Sequence, residues 1–246
     1  MRALLPEHAG SVDLHRWYAR DWLETGGVRA NFIQSVDGAV SSGGLSRGLQ
    51  TDGDNRVFAA LRDLADVILV GAGTARAEGY AAVTATERRL DVRRRYGLPD
   101  PLPIALVSGS LDLDPSSALF TGALPGARTI VVTTAASPAN RRAALAEVAD
   151  VVACGEREID VARLRAELAG RSLTRVLCEG GPALFGHLVQ NGGCDELCLT
   201  ISPLLVGPGP GRIVGGPAFE HDPRGLTLEG LLEEDGALFA RYRRSL

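Results

Sequence analysis

Between Val67 and Val189 the chain alternates between short apolar runs and segments with helical spacing. The runs are "VILVG", "PIALVS", "ARTIVVTT", "DVVAC" and "TRVLCEG". Between and after them stand "GTARAEG", "SPANRRAALAEVA", "DVARLRAELAGR" and "GPALFGHLVQNG". The apolar runs are nearly continuous, as expected of strands covered on both faces. Parallel strands need long crossover connections, and helices supply them here. The alternation therefore predicts an α/β protein with a mostly parallel central sheet and helices on both faces.

The flanks add to this frame. "VRANFIQSVDGAV" reads as a strand running into a turn at Ser35-Val36-Asp37-Gly38. "DNRVFAALRDLAD" places Val57, Leu61 and Leu64 at helical spacing, with Asp54 as the expected N-cap. Ser137 is expected to cap the helix that opens with Pro138. "DELCLTISPLLVG" and two weaker strands near Leu226–Leu232 and Ala237–Arg243 predict an antiparallel C-terminal end. Residues 1–25, with Trp17, Tyr18 and Trp22, read as a partly helical leader packing on a single domain over 26–246. Residues 80–102 read as a charged loop or one short helix; its arginines (Arg88, Arg89, Arg93, Arg94, Arg95) either grip a phosphate or form a solvated helix face.

Composition narrows the function. The net charge of −4, with acids and bases interspersed, argues against binding nucleic acid or a membrane surface through bulk charge. All 26 Lys/Arg residues are arginine, which excludes a Schiff-base or P-loop lysine. Cys154, Cys178, Cys194 and Cys198 lie on or beside apolar runs and read as reduced core thiols of a cytosolic protein, not as a metal site. No apolar run approaches the roughly 18 residues of a membrane span, and no signal peptide is evident.

In open α/β sheets ligands sit at the carboxyl ends of strands, near helix N-termini. Two such ends are glycine-rich: "VGAGTARAEG" and "CEGGPALFGHL". At the second, Gly180 and Gly181 let a ligand approach the backbone, and Pro182 suits a first helical turn. The unpaired amides of that turn, with the helix dipole behind them, form a place for an anion such as a pyrophosphate. Tight turns without ligands remain the other reading of either stretch. Glu179 either faces a pocket and accepts hydrogen bonds from a polar heterocycle or sugar, or stands half-exposed at the sheet edge. Asp37 holds a ligand, supplies a proton, or serves the turn before Gly38. The strand period puts Asn31 and Ser35 on one side.

Three blocks in this order, "NFIQSVDGAV", "VILVGAGTARAEGY" and "VLCEGGPALFGHLVQNGGCDELCLTISPLLVGPG", resemble the pyrimidine reductase family of riboflavin biosynthesis, in a stand-alone form. The resemblance runs from Val28 to the C-terminus and leaves out the leader and residues 80–102. It implies a dihydrofolate-reductase-like fold, a homodimer, and NADPH reducing a pyrimidine ribosylamino phosphate at its sugar. Under it, the late glycine turn and helix start (Gly180, Gly181, Pro182, Ala183, Leu184, Phe185, on to His187) hold the cofactor phosphates. Gly71, Gly73, Thr74 and Glu78 also touch the cofactor, Ser108 flanks its adenosine half, and Arg76 is the nearest candidate for a 2′-phosphate. Glu179 and Asp37 are the catalytic candidates and also meet the substrate, with Asn31, Ser35 and Arg47 beside them. His187, about two turns into its helix, reads as a packing or surface residue.

The chain departs from that family in two ways. It lacks the H-x-E and P-C-x-x-C motifs of the fused zinc deaminase, so it carries no deaminase step. It also lacks the "A-D-D-P-x-L-T-x-R" run whose arginine grips the substrate phosphate; "AEGYAAVTA" stands there instead. Phosphate recognition then moves to Arg47, Arg56 or the 88–95 cluster, or the substrate carries no phosphate. A pterin reductase on the same fold and a non-catalytic nucleotide-binding module are the alternatives.

Overall fold

A computed structural model describes residues 1–219 and 222–245. They fall into two compact units, Met1–Leu61 with Cys178–Leu246, and Arg62–Leu177.

The second unit carries the predicted alternation. Its strands are β3 (Val67–Gly71), β4 (Ile104–Val107), β5 (Ile130–Thr133), β6 (Asp150–Ala153) and β7 (Arg175–Cys178, whose last residue belongs to the first unit), in the order β7-β3-β4-β5-β6. β3, β4, β5 and β6 pair in parallel. Val67 to Val70 and Ile130 to Val132 are buried throughout, which is why these strands read as unbroken apolar runs. Between them run α4 (Ala72–Ala77), α5 (Leu90–Arg95), α6 (Ala118–Thr121), α7 (Ala139–Ala146) and α8 (Val161–Gly170). Asp160 caps α8 by accepting from the Arg163 amide at 3.0 Å. Ser137 does not cap α7: its hydroxyl donates to the Thr134 carbonyl at 2.7 Å, and Pro138 takes the cap position.

Residues 80–102 hold one short helix, and neither reading of the arginine cluster survives at Arg93. That side chain is fully buried. It donates to the carbonyls of Asp63 (3.2 Å) and Ala65 (2.7 Å), which a helix end leaves unpaired, and to Pro99 (2.8 Å) and Pro101 (3.1 Å). Arg89 pairs with Asp63 at 2.5 Å and Arg94 with Asp100 at 2.7 Å. Arg89 and Arg93 fasten the excursion to the body of the unit, while Arg94 braces it internally.

In the first unit the strand order is β1 (Arg2–Leu5), β9 (Leu226–Glu234), β10 (Ala237–Arg244), β8 (Glu196–Ser202), β2 (Gly27–Ser35). β2 and β8 are parallel, and the rest antiparallel, as expected of the C-terminal end. β1 was not expected, because "RALL" is short and lies at an edge. The leader is otherwise helical, α1 (Leu14–Ala19) and α2 (Trp22–Thr25). α3 (Asp52–Asp63) starts two residues before the expected cap: Thr51 Oγ1 accepts from the Asp54 amide at 3.1 Å. Asp54 is instead buried, accepting from the Thr200 hydroxyl at 2.6 Å. Burial raises its pKa despite that bond. α9 (Pro182–Gln190) completes the unit.

A buried charge cluster joins leader to sheet. Glu196 lies 2.5 Å from Arg29 and 3.0 Å from Arg241. Burial pushes the Glu196 pKa up, but the two guanidiniums outweigh it and hold it below the usual carboxylate range. Arg29 donates to the Tyr18 carbonyl at 3.0 Å and lies 4.1 Å from the Trp22 ring, and Arg241 donates to the Arg20 carbonyl at 3.2 Å. Breaking such a cluster from one side typically costs about 3–5 kcal/mol. Among the described residues no helix is long and apolar enough to cross a membrane.

Candidate functional site

The first unit positions Asp37. β2 ends in Ser35, whose amide donates to the Ala39 carbonyl at 2.9 Å, closing a turn that needs Gly38 at φ +87. The Ser35 hydroxyl accepts from the Ala39 amide at 2.9 Å and donates to Asp37 Oδ1. Asp37 Oδ2 accepts from the amides of Gly207 (2.7 Å) and Val206 (3.2 Å). The Ser35 hydroxyl first, then the Gly207 and Val206 amides, lower the Asp37 pKa. Asp37 is therefore an ionised acceptor that ties the β2 turn to the loop after β8. Between turn and loop lies a cleft of about 610 Å³, lined by Gln34, Asp37 and residues 207–214, Arg212 among them.

The other substrate candidates stand elsewhere. Ser35 is fully buried and engaged in the turn. Asn31, on the same strand face, has a buried Oδ1 with no hydrogen-bond partner among the described residues. Neither lines the cleft, because the alternate residue Gln34 does. Arg47 is exposed on a short 3-10 turn, Ser46–Gly48, outside the cleft lining. Gln34 and Arg212 line the cleft without standing among the expected site residues, although the Gly/Pro-rich stretch Leu204 to Phe219 was expected either to line the active-site cleft or to form a dimer face. The available signal was one cation inside the otherwise uncharged "GPGPGRIVGGP".

Glu179 follows the last residue of β7 and is 8% exposed, so the half-exposed edge position does not apply. Next to it the Gly180–Gly181 peptide is cis, and Gly180 has φ +89. A Cβ at Gly180 would stand 3.0 Å from the Phe32 ring, which in turn packs on Phe185 at 4.7 Å between centroids. Gly181 occupies the N-cap of α9 and Pro182 its first turn, as expected. The Gly215 amide donates to the Pro182 carbonyl at 2.9 Å, and a methyl group at Gly186 would run into the Gly215 carbonyl oxygen. Leu184 and Phe185 are buried, so their side chains serve packing; Ala183 is exposed. His187, partly buried, sits in the last turn of α9, and its carbonyl accepts from the Asn191 amide at 3.2 Å.

In the second unit, Gly71 is the N-cap of α4 in extended conformation. Gly73 differs from Gly180: it has no positive φ, and a Cβ there would meet nothing within 4 Å. Its own fold does not require glycine. The Thr74 carbonyl accepts from the Glu78 amide at 2.9 Å, and Gly79 ends the segment at φ +71. Ser108 is buried with its hydroxyl accepting from the Leu111 amide at 3.0 Å. Arg76, exposed, donates to the Asp112 carbonyl at 2.9 Å and lies 3.9 Å from its carboxylate. It rims a separate cleft of about 430 Å³ that includes Tyr80, Leu106, Asp112, Asp114 and Phe120.

Among the described residues no group of His, Cys, Asp and Glu is arranged to hold a metal. Cys154, Cys178 and Cys198 are buried, and Cys194 partly so. Burial pushes the Cys178 and Cys194 thiols up to about 12, which leaves them protonated at neutral pH. A nicotinamide dinucleotide fits what each unit offers. Side-chain-free backbone precedes the nine-residue helix α9 in the first, and the open space over Gly73 lies beside the strand end in the second.

The family profile of the RibD C-terminal domain matches residues 27–233. The 2,5-diamino-6-ribosylamino-4(3H)-pyrimidinone 5′-phosphate reductase of Methanothermobacter thermautotrophicus is 29% identical, with 82% of this chain and 89% of that protein aligned. Its namesake from Archaeoglobus fulgidus is 27% identical, over 88% of this chain and 98% of that one. Among solved structures, a pyrimidine reductase-like protein of Corynebacterium diphtheriae superposes with TM-score 0.84 at 27% identity, covering 96% of this chain and all of the other. The match spans nearly the whole region from β2 to β9, so the chain belongs to the RibD C-terminal domain family.

Proposed function

We propose that this protein is an NADPH-dependent reductase of a ribosylaminopyrimidine 5′-phosphate in riboflavin biosynthesis. The observation that carries the reading is the buried Glu179 leading into Gly180, Gly181 and the start of α9. A diaminopyrimidinone presents a row of N–H donors, and a carboxylate withdrawn from water is a strong acceptor for them. The amides of the first turn of α9 suit the cofactor's diphosphate. Gly71, Gly73, Thr74, Glu78 and Ser108 of the second unit keep the cofactor role that the resemblance gives them.

When bound, the nicotinamide supplies a hydride. Reduction at the sugar would place that hydride on C1′ of an opened carbon–nitrogen double bond and a proton on the nitrogen, giving a ribitylamine. Asp37 is held ionised and engaged by three donors, so in this reading it fixes the cleft and water delivers the proton. Exposed Leu204, Leu205, Leu226 and Leu228, and an apolar cleft of about 520 Å³ beside α9, support a homodimer. Protonated, buried thiols suit a reducing, cytosolic setting. Residues 26–246 act as one reductase domain.

The test is incubation with NADPH and either the ribosylaminopyrimidine phosphate or dihydrofolate. The reading expects NADPH consumption with the pyrimidine and a product heavier by two hydrogens. Turnover of dihydrofolate alone, or of neither compound, contradicts it.

A further inference from the structure

The cleft between the Asp37 turn and the loop after β8 contains a cation that no other described residue engages. Arg212 lines this cleft and makes no hydrogen bond or ion pair among the described residues. Most other arginines of the first unit are occupied. Arg29 and Arg241 lie on Glu196, Arg56 on Glu234, and Arg224 and Arg244 donate to the carbonyls of Gln190 and Gly192. Arg16 and Arg47 are exposed and line no part of this cleft. In the second unit Arg89, Arg93 and Arg94 serve the excursion, so the positions expected to replace the missing phosphate-gripping arginine are mostly spent on structure.

The cleft suits an anion despite containing Asp37. That carboxylate already accepts from Ser35, Val206 and Gly207, so it has partners other than Arg212. The same bonds anchor the start of the 207–214 loop and preform the cleft wall. The wall is rich in glycine and proline, which leaves room for a ligand near the guanidinium. A guanidinium presents a fork of donors that matches a phosphate oxygen pair.

We propose that Arg212 is the specificity residue for the substrate's phosphomonoester, binding it bidentately in this cleft. The inference rests on the pyrimidine-phosphate reading above, but it can be measured apart from it. Ribose 5-phosphate is the probe, titrated calorimetrically into the wild-type protein, Arg212→Ala and Arg212→Lys, with thermal melts as the folding check. Steady-state kinetics on the phosphorylated pyrimidine and its phosphatase-treated form run in parallel.

The proposal expects the wild type to bind ribose 5-phosphate, R212A to lose about 10- to 100-fold in affinity, and R212K to recover part of it. KM for the phosphorylated pyrimidine should rise by a similar factor in R212A, with kcat and the KM for the dephosphorylated form little changed. Equal binding by wild type and R212A overturns the proposal, as does a wild type that binds no ribose 5-phosphate. A KM effect that follows Arg47→Ala and not R212A also overturns it. If ribose 5-phosphate binding depends on Arg212 but no pyrimidine is turned over, the phosphate site stands and the pyrimidine reading falls.

Discussion

The two glycine turns look alike in sequence and differ in what their own unit asks of them. Gly180 is required by the fold: its φ is +89, and a Cβ would press on Phe32 at 3.0 Å. Gly73 has no positive φ and open space where a Cβ would stand. A side chain at Gly180 therefore disturbs packing and any ligand together. At Gly73 a side chain disturbs only what comes to the protein from outside. The difference teaches that a glycine-rich strand end is evidence for a ligand only after the fold's own demands have been subtracted.

The largest expected effect sets the first turn's carboxylate apart, since the second turn has no counterpart to it. Glu179→Gln should lower kcat/KM for the pyrimidine by about 100-fold or more, as loss of a charge-assisted substrate contact at the reacting end does. NADPH affinity should stay within about twofold, because the α9 amides remain. Steady-state kinetics with a parallel fluorescence titration of NADPH separate the two, and an equal loss of both would blur the distinction between the turns.

Gly180→Val comes next. Positive φ at a β-branched residue and crowding of Phe32 should together cost about 2–4 kcal/mol, read from a urea midpoint. A variant as stable as the wild type would mean that the two glycines are equivalent after all.

Asp37→Asn gives a smaller and pH-dependent effect. The folded Asp37 pKa is lowered by the Ser35 hydroxyl and the Gly207 and Val206 amides, so its ionised form stabilises the native state. That contribution is present above the unfolded value of 3.8 and is lost as pH falls through the lower folded value. Thermal melts should show the wild type above D37N at neutral pH, with the gap closing in acid below the usual carboxylate range. A gap that widens in acid would show that Asp37 does not anchor the loop as an ion.

What could be read from sequence was whatever depends on near neighbours. The parallel strands β3 to β6 declare themselves because burial on both faces leaves no polar interruption. Pro182 and Gly181 announce α9 through local backbone rules. What escaped depends on partners far along the chain. Asp54 has the look of a cap until Thr200, 146 positions away, takes its oxygen. The turn at Asp37 is legible, but its hold on Gly207, 170 positions on, is not. Arg93 sits in a run of arginines that reads as solvated, because the carbonyls at the end of α3 that need its donors leave no mark in composition. At the site, Glu179 stood out as a carboxylate closing an apolar run. Arg212 did not, since its meaning comes from the cleft around it.

Gly73→Ala tests the central claim most directly, with an NADPH titration and a thermal melt on the same sample. Alanine within α4 should leave stability unchanged or raise it by up to about 1 kcal/mol. The account predicts that NADPH affinity nonetheless falls about tenfold, the size of one lost close contact worth ~1.4 kcal/mol. Unchanged NADPH affinity in the equally stable variant would contradict the assignment of this strand end to the cofactor.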